Sequence, residues 1–290
     1  MAEFLQFLLS GITVGAIYAL VGLGFSIIYN ASHVINFAQG EFVMLGGMGT
    51  VFLMAAGLPL FVAVPLAVCI VVAVGLILEK FAVEPARDAT VVTLIIITIG
   101  ASIFIRGAVE VTLGKDFHRL PGFSGDAPIM IGGAALQQQS LWIIGALVVV
   151  VAGLKWFFEH TRLGKAVLAT SHNRIAAQLV GIEVRTILLV SFGLAAGLGA
   201  LAGILTAPIT LTKYDIGIML GLKGFAAAIL GGLGSSFGAV AGGIVLGVIE
   251  AMAAGYVSSA YKDAVAFVII LGVLFFMPSG LFGAKGAERV

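Results

Sequence analysis

The chain has 290 residues, of which 61% are hydrophobic and 10% are charged, against roughly 25% charged in an ordinary soluble domain, so a water-soluble protein is excluded. With 15 basic and 14 acidic residues the formal charge is +1, which supplies neither a basic field that holds nucleic acid nor an acidic tail.

Apolar runs approaching the roughly 20 residues a bilayer core demands recur along the chain. Apart from His33, no charged or histidine side chain lies between Glu3 and Glu41, and none lies between Glu41 and Glu79. The first run carries Glu3 in place of a basic leader region and has no clear cleavage site, so it reads as a retained helix. Turn residues and charges delimit helices at Phe4 to Tyr29, Asn36 to Ala56, Pro59 to Lys80, Thr90 to Leu113, Leu141 to Phe158, Thr186 to Ala207, Gly217 to Leu233, Phe237 to Val257 and Ala264 to Met277. The fold class is therefore all-α, a polytopic membrane helical bundle of about eight or nine spans. The second and seventh segments carry Gly-Gly and a charge, so each is either a full span or a broken or re-entrant helix buried in protein.

Lys and Arg counts near the helix ends set the orientation. With residues 159–185 inside, the inner side holds nine (Lys80, Arg87, Lys155, Arg162, Lys165, Arg174, Arg185, Lys285 and Arg289) and the outer side four (Lys115, Arg119, Lys213 and Lys262). The bias puts the N-terminus outside and the C-terminus inside.

The 40 glycines include the pairs Gly11/Gly15, Gly193/Gly197, Gly199/Gly203, Gly238/Gly242 and Gly243/Gly247. That spacing lets membrane helices approach closely, either inside one bundle or between subunits. Leu45-Gly46-Gly47-Met48-Gly49-Thr50 is echoed by Leu230-Gly231-Gly232-Leu233-Gly234-Ser235. The echo marks either chance in a glycine-rich chain or a pair of interrupted helices lining a path.

No catalytic constellation is present. The four histidines lack metal-site spacing, Cys69 is alone, and no metal site is expected; Gly164-Lys165 lacks the upstream glycine of a phosphate-binding loop. The inner loop 159–185 is too long for a tight connection and holds four basic and two acidic residues. Thr170 or Ser171 is read as the cap of a three-turn helix that stops at Gly181. Ile175, Ala176, Leu179 and Val180 share one face of it, and Ser171, Arg174 and Gln178 another. Such a helix lies on lipid, packs on the bundle, or docks into a partner.

Asn36, Gln39 and Glu41 open the second segment, and buried amides and carboxylates must face protein or a water-filled cavity. They form either a cap network at the inner boundary, with Asn36 as the cap, or a gate. Gly46, Gly47, Gly231 and Gly232 are candidates to line the same path. Arg106 and Glu110 have the spacing of a local ion pair. Lys223 and Glu250 either pair between helices or reach separately to an interface.

Thr161-Arg162-Leu163-Gly164-Lys165-Ala166, Asn173-Arg174-Ile175-Ala176-Ala177 and Gly181-Ile182 together resemble the coupling loop of permease subunits of branched-chain amino acid ABC importers, the LivH type. Ile35-Asn36-Phe37-Ala38-Gln39-Gly40-Glu41, Lys223-Gly224-Phe225-Ala226 before Leu230-Gly231-Gly232-Leu233-Gly234, and Pro278-Ser279-Gly280-Leu281-Phe282-Gly283 extend the resemblance over the whole chain. Ile175 stands where the general Glu-Ala-Ala-x-x-x-Gly pattern has its acid.

The resemblance implies a single permease domain over 1–290, with a cytoplasmic coupling loop at 159–185 through which Arg162, Gly164, Lys165, Arg174, Ala176, Ala177 and Gly181 engage an ATPase. It implies a second permease subunit of the LivM type or a copy of this chain, two cytoplasmic ATPase subunits holding ATP and Mg, a periplasmic amino-acid-binding protein, and membrane lipid, with no cofactor in this chain. The location implied is the bacterial inner membrane. The substrate class is leucine, isoleucine and valine, or urea, amides or other amino acids in related importers. An ion-driven secondary transporter is the rival class, but it leaves the inner loop without a purpose.

Overall fold

The computed structural model describes residues 2–86, 89–125 and 127–282. Arg87, Lys285 and Arg289 of the orientation count, and Gly283 of the last motif, lie outside the described residues. The long helices are α1 (Ala2–Ser32), α2 (Gln39–Ala55), α3 (Leu60–Leu78), α4 (Val91–Leu113), α5 (Gln138–His160), α8 (Val184–Thr210), α9 (Ile216–Gly231), α10 (Ser236–Tyr256) and α11 (Lys262–Phe276), with short α6 (Arg162–His172) and α7 (Arg174–Leu179) between α5 and α8. Six stretches, 2–32, 60–86, 91–113, 138–160, 184–210 and 236–256, are long and apolar enough to cross a bilayer. At 17, 16 and 15 residues, α2, α9 and α11 are shorter than the roughly 20 residues of a full span.

One addition to the all-helical expectation precedes α5. Strands β1 (Pro128–Ile131) and β2 (Ala134–Gln137) form an antiparallel hairpin pairing Pro128 with Gln137 and Ile131 with Ala134. Gly132 and Gly133 make its two-residue turn at φ 57° and 88°, the left-handed pair that a tight hairpin requires. Gln6 clasps the hairpin: its Nε2 donates to the Ala135 carbonyl at 3.0 Å and its Oε1 accepts from the Ala135 N–H at 2.7 Å.

Such contacts define two ends of the bundle. At one, the α1 start meets the hairpin. At the other, Asn30 donates to the Gly234 carbonyl at 2.8 Å and Arg185 pairs with Glu84 at 2.7 Å. The last described residues close that second end, because the N–H groups of Leu281 and Phe282 donate to the carbonyls of Leu230 and Gly231 at 2.8 and 2.9 Å. They satisfy acceptors that the α9 terminus would otherwise leave open.

α1 is the central post, buried along Gly15 to Ile28 and in contact with α10, α8 and α9. The paired glycines all face helices of this same chain. A Cβ at Gly11 or Gly15 would meet the α10 backbone at Val248 or Ile244, at 2.7 Å in both cases, and Gly243 and Gly247 answer them from α10. Gly199 and Gly203 lie against α2, Gly238 and Gly242 against α9, and Gly193 and Gly197 against α3. With no hydrophobic drive between helices in lipid, close backbone approach is what holds such a bundle together.

The two Gly-Gly echoes differ in structure. Gly46 and Gly47 lie inside the unbroken α2, where they admit the backbone of α8 at Ala200 and Gly203. Gly231 and Gly232 end α9, with Gly232 at φ 104°. The expected break in the second segment falls before it instead, at residues 33–38, where His33 adopts φ 56°.

Candidate functional site

The segment after α1 turns back into the bundle. Ser32 Oγ accepts from the Val34 N–H at 3.1 Å, and Asn36 Oδ1 accepts from the Ala38 N–H at 3.0 Å. Asn36 is therefore a turn-former two residues ahead of the actual cap position, Ala38, which offers no side-chain cap. Nor is the start of α2 at the membrane boundary. Gln39 Nε2 donates to the Ala195 carbonyl in mid-α8 at 2.9 Å, and Glu41 Oε1 accepts from Ser102 Oγ in mid-α4 at 2.7 Å. This corrects the boundary-cap reading: Gln39 and Glu41 each reach a neighbouring helix, deep between the two ends.

Glu41 is 1% exposed, its second oxygen has no hydrogen-bond partner among the described residues, and Arg106 Nη1 lies 3.8 Å from the first. The Arg106–Glu110 pair expected from spacing does not form. Glu110 pairs instead with Lys115 at 2.7 Å, a hydrogen bond that holds the exposed Lys115 ammonium above the usual lysine range. The physical reason is position: Arg106 faces a buried carboxylate that needs a cation more than the half-exposed Glu110 does.

Beside Glu41 is a cavity of about 240 Å³ lined by Gly40, Ser102, Arg106, Gly217 and Gly221, with Phe25, Phe37 and Phe225 among its apolar members. Gly40 and Gly217, at the starts of α2 and α9, touch through their backbones and admit no side chain. Two helix N-termini, each carrying a partial positive charge, thus meet at one chamber that combines Glu41, Ser102 and Arg106 with a mainly apolar wall. Gly46, Gly47, Gly231 and Gly232 line neither this chamber nor the larger cavity described below; they serve as packing and turn positions.

A separate buried cluster lies between α1, α9, α10 and α11. Lys223 Nζ donates to Glu250 Oε1 at 2.8 Å and to Asp263 Oδ1 at 2.6 Å. Tyr18 Oη donates to Glu250 Oε2 at 2.8 Å, and Lys262 Nζ stands 3.5 Å from Glu250 Oε1. Asp263 and Lys262 precede the last predicted segment and Tyr18 carries no charge, so a charge inside a helix, the signal at Lys223 and Glu250, does not mark them.

The inner loop folds as two helices rather than one of three turns. Thr161 caps α6 by accepting from the Gly164 N–H at 2.9 Å, and Gly164 is needed because a Cβ there would strike the Phe157 carbonyl. Gly164, Val167 and Thr170 form the buried face, so Thr170 is inside α6 and is not a cap. The chain extends at Asn173 (φ −155°), whose Oδ1 accepts from the Ala176 N–H at 3.0 Å and starts α7. Gly181, at φ 88°, ends it: the Gly181 N–H donates to the Gln178 carbonyl and the Ile182 N–H to the Ala177 carbonyl, both at 3.0 Å. This is a left-handed C-terminal cap. Ala177 is buried, whereas Ile175, Leu179 and Val180 are 72%, 83% and 77% exposed. Ala176, Arg162 and Lys165 are also exposed, while Arg174 turns toward the bundle.

Long apolar helices packed by glycine, a chamber beside a buried carboxylate and an apolar cluster presented at one end suit a multi-pass membrane permease. The family model for the branched-chain amino acid transport system, permease component, matches residues 7–274, and the chain belongs to that family. It is 34% identical to the high-affinity branched-chain amino acid transport system permease protein LivH of Salmonella typhimurium and to that of Escherichia coli, over 99% of this chain and 98% of theirs. BraD of Pseudomonas aeruginosa matches with the same identity and coverage. Among solved structures, PsaBC from Streptococcus pneumoniae in complex with Fab shares the fold at a TM-score of 0.53 and 13% identity, covering 98% of this chain and 94% of that one.

Proposed function

We propose that this chain is a permease subunit of an ATP-driven importer of leucine, isoleucine and valine, in a bacterial cytoplasmic membrane. Its long helices make eight or nine crossings, and residues 159–185 face the cytosol. A second permease subunit, two ATPase subunits and a solute-binding protein complete the importer. ATP and Mg belong to the ATPases. The family and the names of its relatives support the substrate class.

One observation carries the coupling mechanism: α7 is capped at both ends and turns Ile175, Leu179 and Val180 outward. A fixed apolar cluster at the end of the bundle is suited to fill a groove on a separate motor, with Arg162 and Lys165 at its rim. α7 is joined to α8 by the short turn at 180–183, and the α8 carbonyl of Ala195 holds Gln39. Motion of α7 therefore reaches the start of α2 through one rigid element. There, the two helix N-termini and Arg106 favour the carboxylate of a zwitterion, Glu41 its ammonium, and the three phenylalanines its aliphatic side chain. The shared charges hold the substrate weakly, as a conduit requires.

Vesicles containing the assembled importer and supplied with loaded binding protein should take up labelled leucine only with ATP inside. Replacing Gly181 by Val or Ala177 by Trp should leave the complex assembled but separate ATP hydrolysis from uptake. Uptake by this chain alone on an ion gradient, or normal coupling in both variants, overturns the reading.

A further inference from the structure

A cavity of about 350 Å³ lies at the α7 end of the bundle, and no step above uses it. One of its lining residues is Glu79, the first residue of a π-helical turn over Glu79–Val83 that extends α3. π-turns interrupt regular helix packing and recur at functional positions. Glu79 is 0% exposed, and neither carboxylate oxygen has a hydrogen-bond partner among the described residues. A carboxyl group removed from water without a partner is costly. The buried Asn36 Nδ2 lines the same cavity and also lacks a partner. The cavity thus contains an unsatisfied acceptor and an unsatisfied donor.

The remaining lining narrows the ligand. Arg174 enters from α7 without an ion-pair partner among the described residues, and Arg185 is paired with Glu84. Ile28, Val34, Val83, Leu94, Leu188 and Phe192 supply an apolar wall. A bare metal ion would confront two guanidinium groups, and a simple anion would confront Glu79 and Glu84. A molecule with an ammonium, a carboxylate and a branched aliphatic chain meets all three parts of the lining.

We propose that this cavity binds a free branched-chain α-amino acid from the cytosolic side, with its ammonium at Glu79, its carboxylate at Arg174 and Asn36, and its side chain on the apolar wall. The identity of the ligand rests on the transport reading above; the cavity does not. Occupancy ties α3 to α7 and to the segment that precedes α2. It therefore opposes the movement of α7, and imported product slows further import.

The test is the initial uptake rate in vesicles with the ATPases inside, preloaded with ATP and either with leucine or without it. Lumenal leucine should slow uptake about fivefold or more, the range of ordinary coupling between sites. Isobutylamine and isovalerate, each lacking one charge, should not. Glu79→Gln should abolish the inhibition while empty vesicles still import. Leu94→Trp, which fills the cavity from α4 without removing a charge, should do the same. An unchanged wild-type rate, or inhibition that survives both variants, overturns the proposal. If empty vesicles import no branched-chain amino acid, the transport reading is the one that falls. Labelled leucine added to the solubilised complex without binding protein then decides the cavity alone: binding lost in Glu79→Gln supports it, and no binding to the wild type overturns it.

Discussion

Glu250 and Glu41 are both carboxylates buried inside the bundle, and their surroundings differ. Both Glu250 oxygens are engaged, by Lys223 and Tyr18, with Lys262 nearby. Glu41 has one oxygen on Ser102, a cation at 3.8 Å and a second oxygen with no donor among the described residues, beside a chamber. A saturated ionic cluster resists movement, because any displacement leaves a charge unpaired in a medium of low dielectric. A half-saturated carboxylate beside open space has capacity left for a ligand. The first arrangement serves as an anchor for α9, α10 and α11, and the second is suited to a working site.

The largest expected effect breaks the anchor. Lys223→Ala leaves Glu250 and Asp263 without their shared cation and should cost about 3–5 kcal/mol, read as a lower melting temperature and less assembled protein in the membrane. Next, Gly40→Val drives a branched side chain into the Gly217 backbone and should cost about 1–3 kcal/mol from overpacking, with uptake lost as the two helix starts are forced apart. Glu41→Gln keeps an acceptor for Ser102 and should change stability by less than about 1 kcal/mol while altering the initial rate of uptake. If that rate is unchanged and only stability falls, Glu41 is a second anchor and the contrast disappears. The smallest effect is at the other acid of α4: Glu110→Gln removes a partner from the exposed Lys115 and should leave both melting temperature and uptake as they were.

The helix order was legible because it is written locally. Each of the nine segments, including the glycine-interrupted second and seventh, corresponds to a helix in the structure, with ends shifted by a few residues. The hairpin was not legible, since four-residue strands within a loop are too short to show periodicity. The inner loop was half legible: Gly181 announced its stop, but the break at Asn173 depends on an Asn capping the next turn instead of continuing the last. Spacing along one helix pairs Arg106 with Glu110, because it cannot register a buried acid arriving from another helix.

Sequence alone determined that this chain belongs in a membrane, where its helices lie and which glycines allow close approach, because hydrophobicity, length and side-chain size are properties of short stretches. Only the folded bundle decided which charges meet, that α2 begins deep in the interior, and that Glu79 lies in a cavity with no hydrogen-bond partner among the described residues. Those facts depend on residues up to 232 positions apart being brought within hydrogen-bond reach. The cost of leaving a buried charge alone is set by the neighbours it acquires in space.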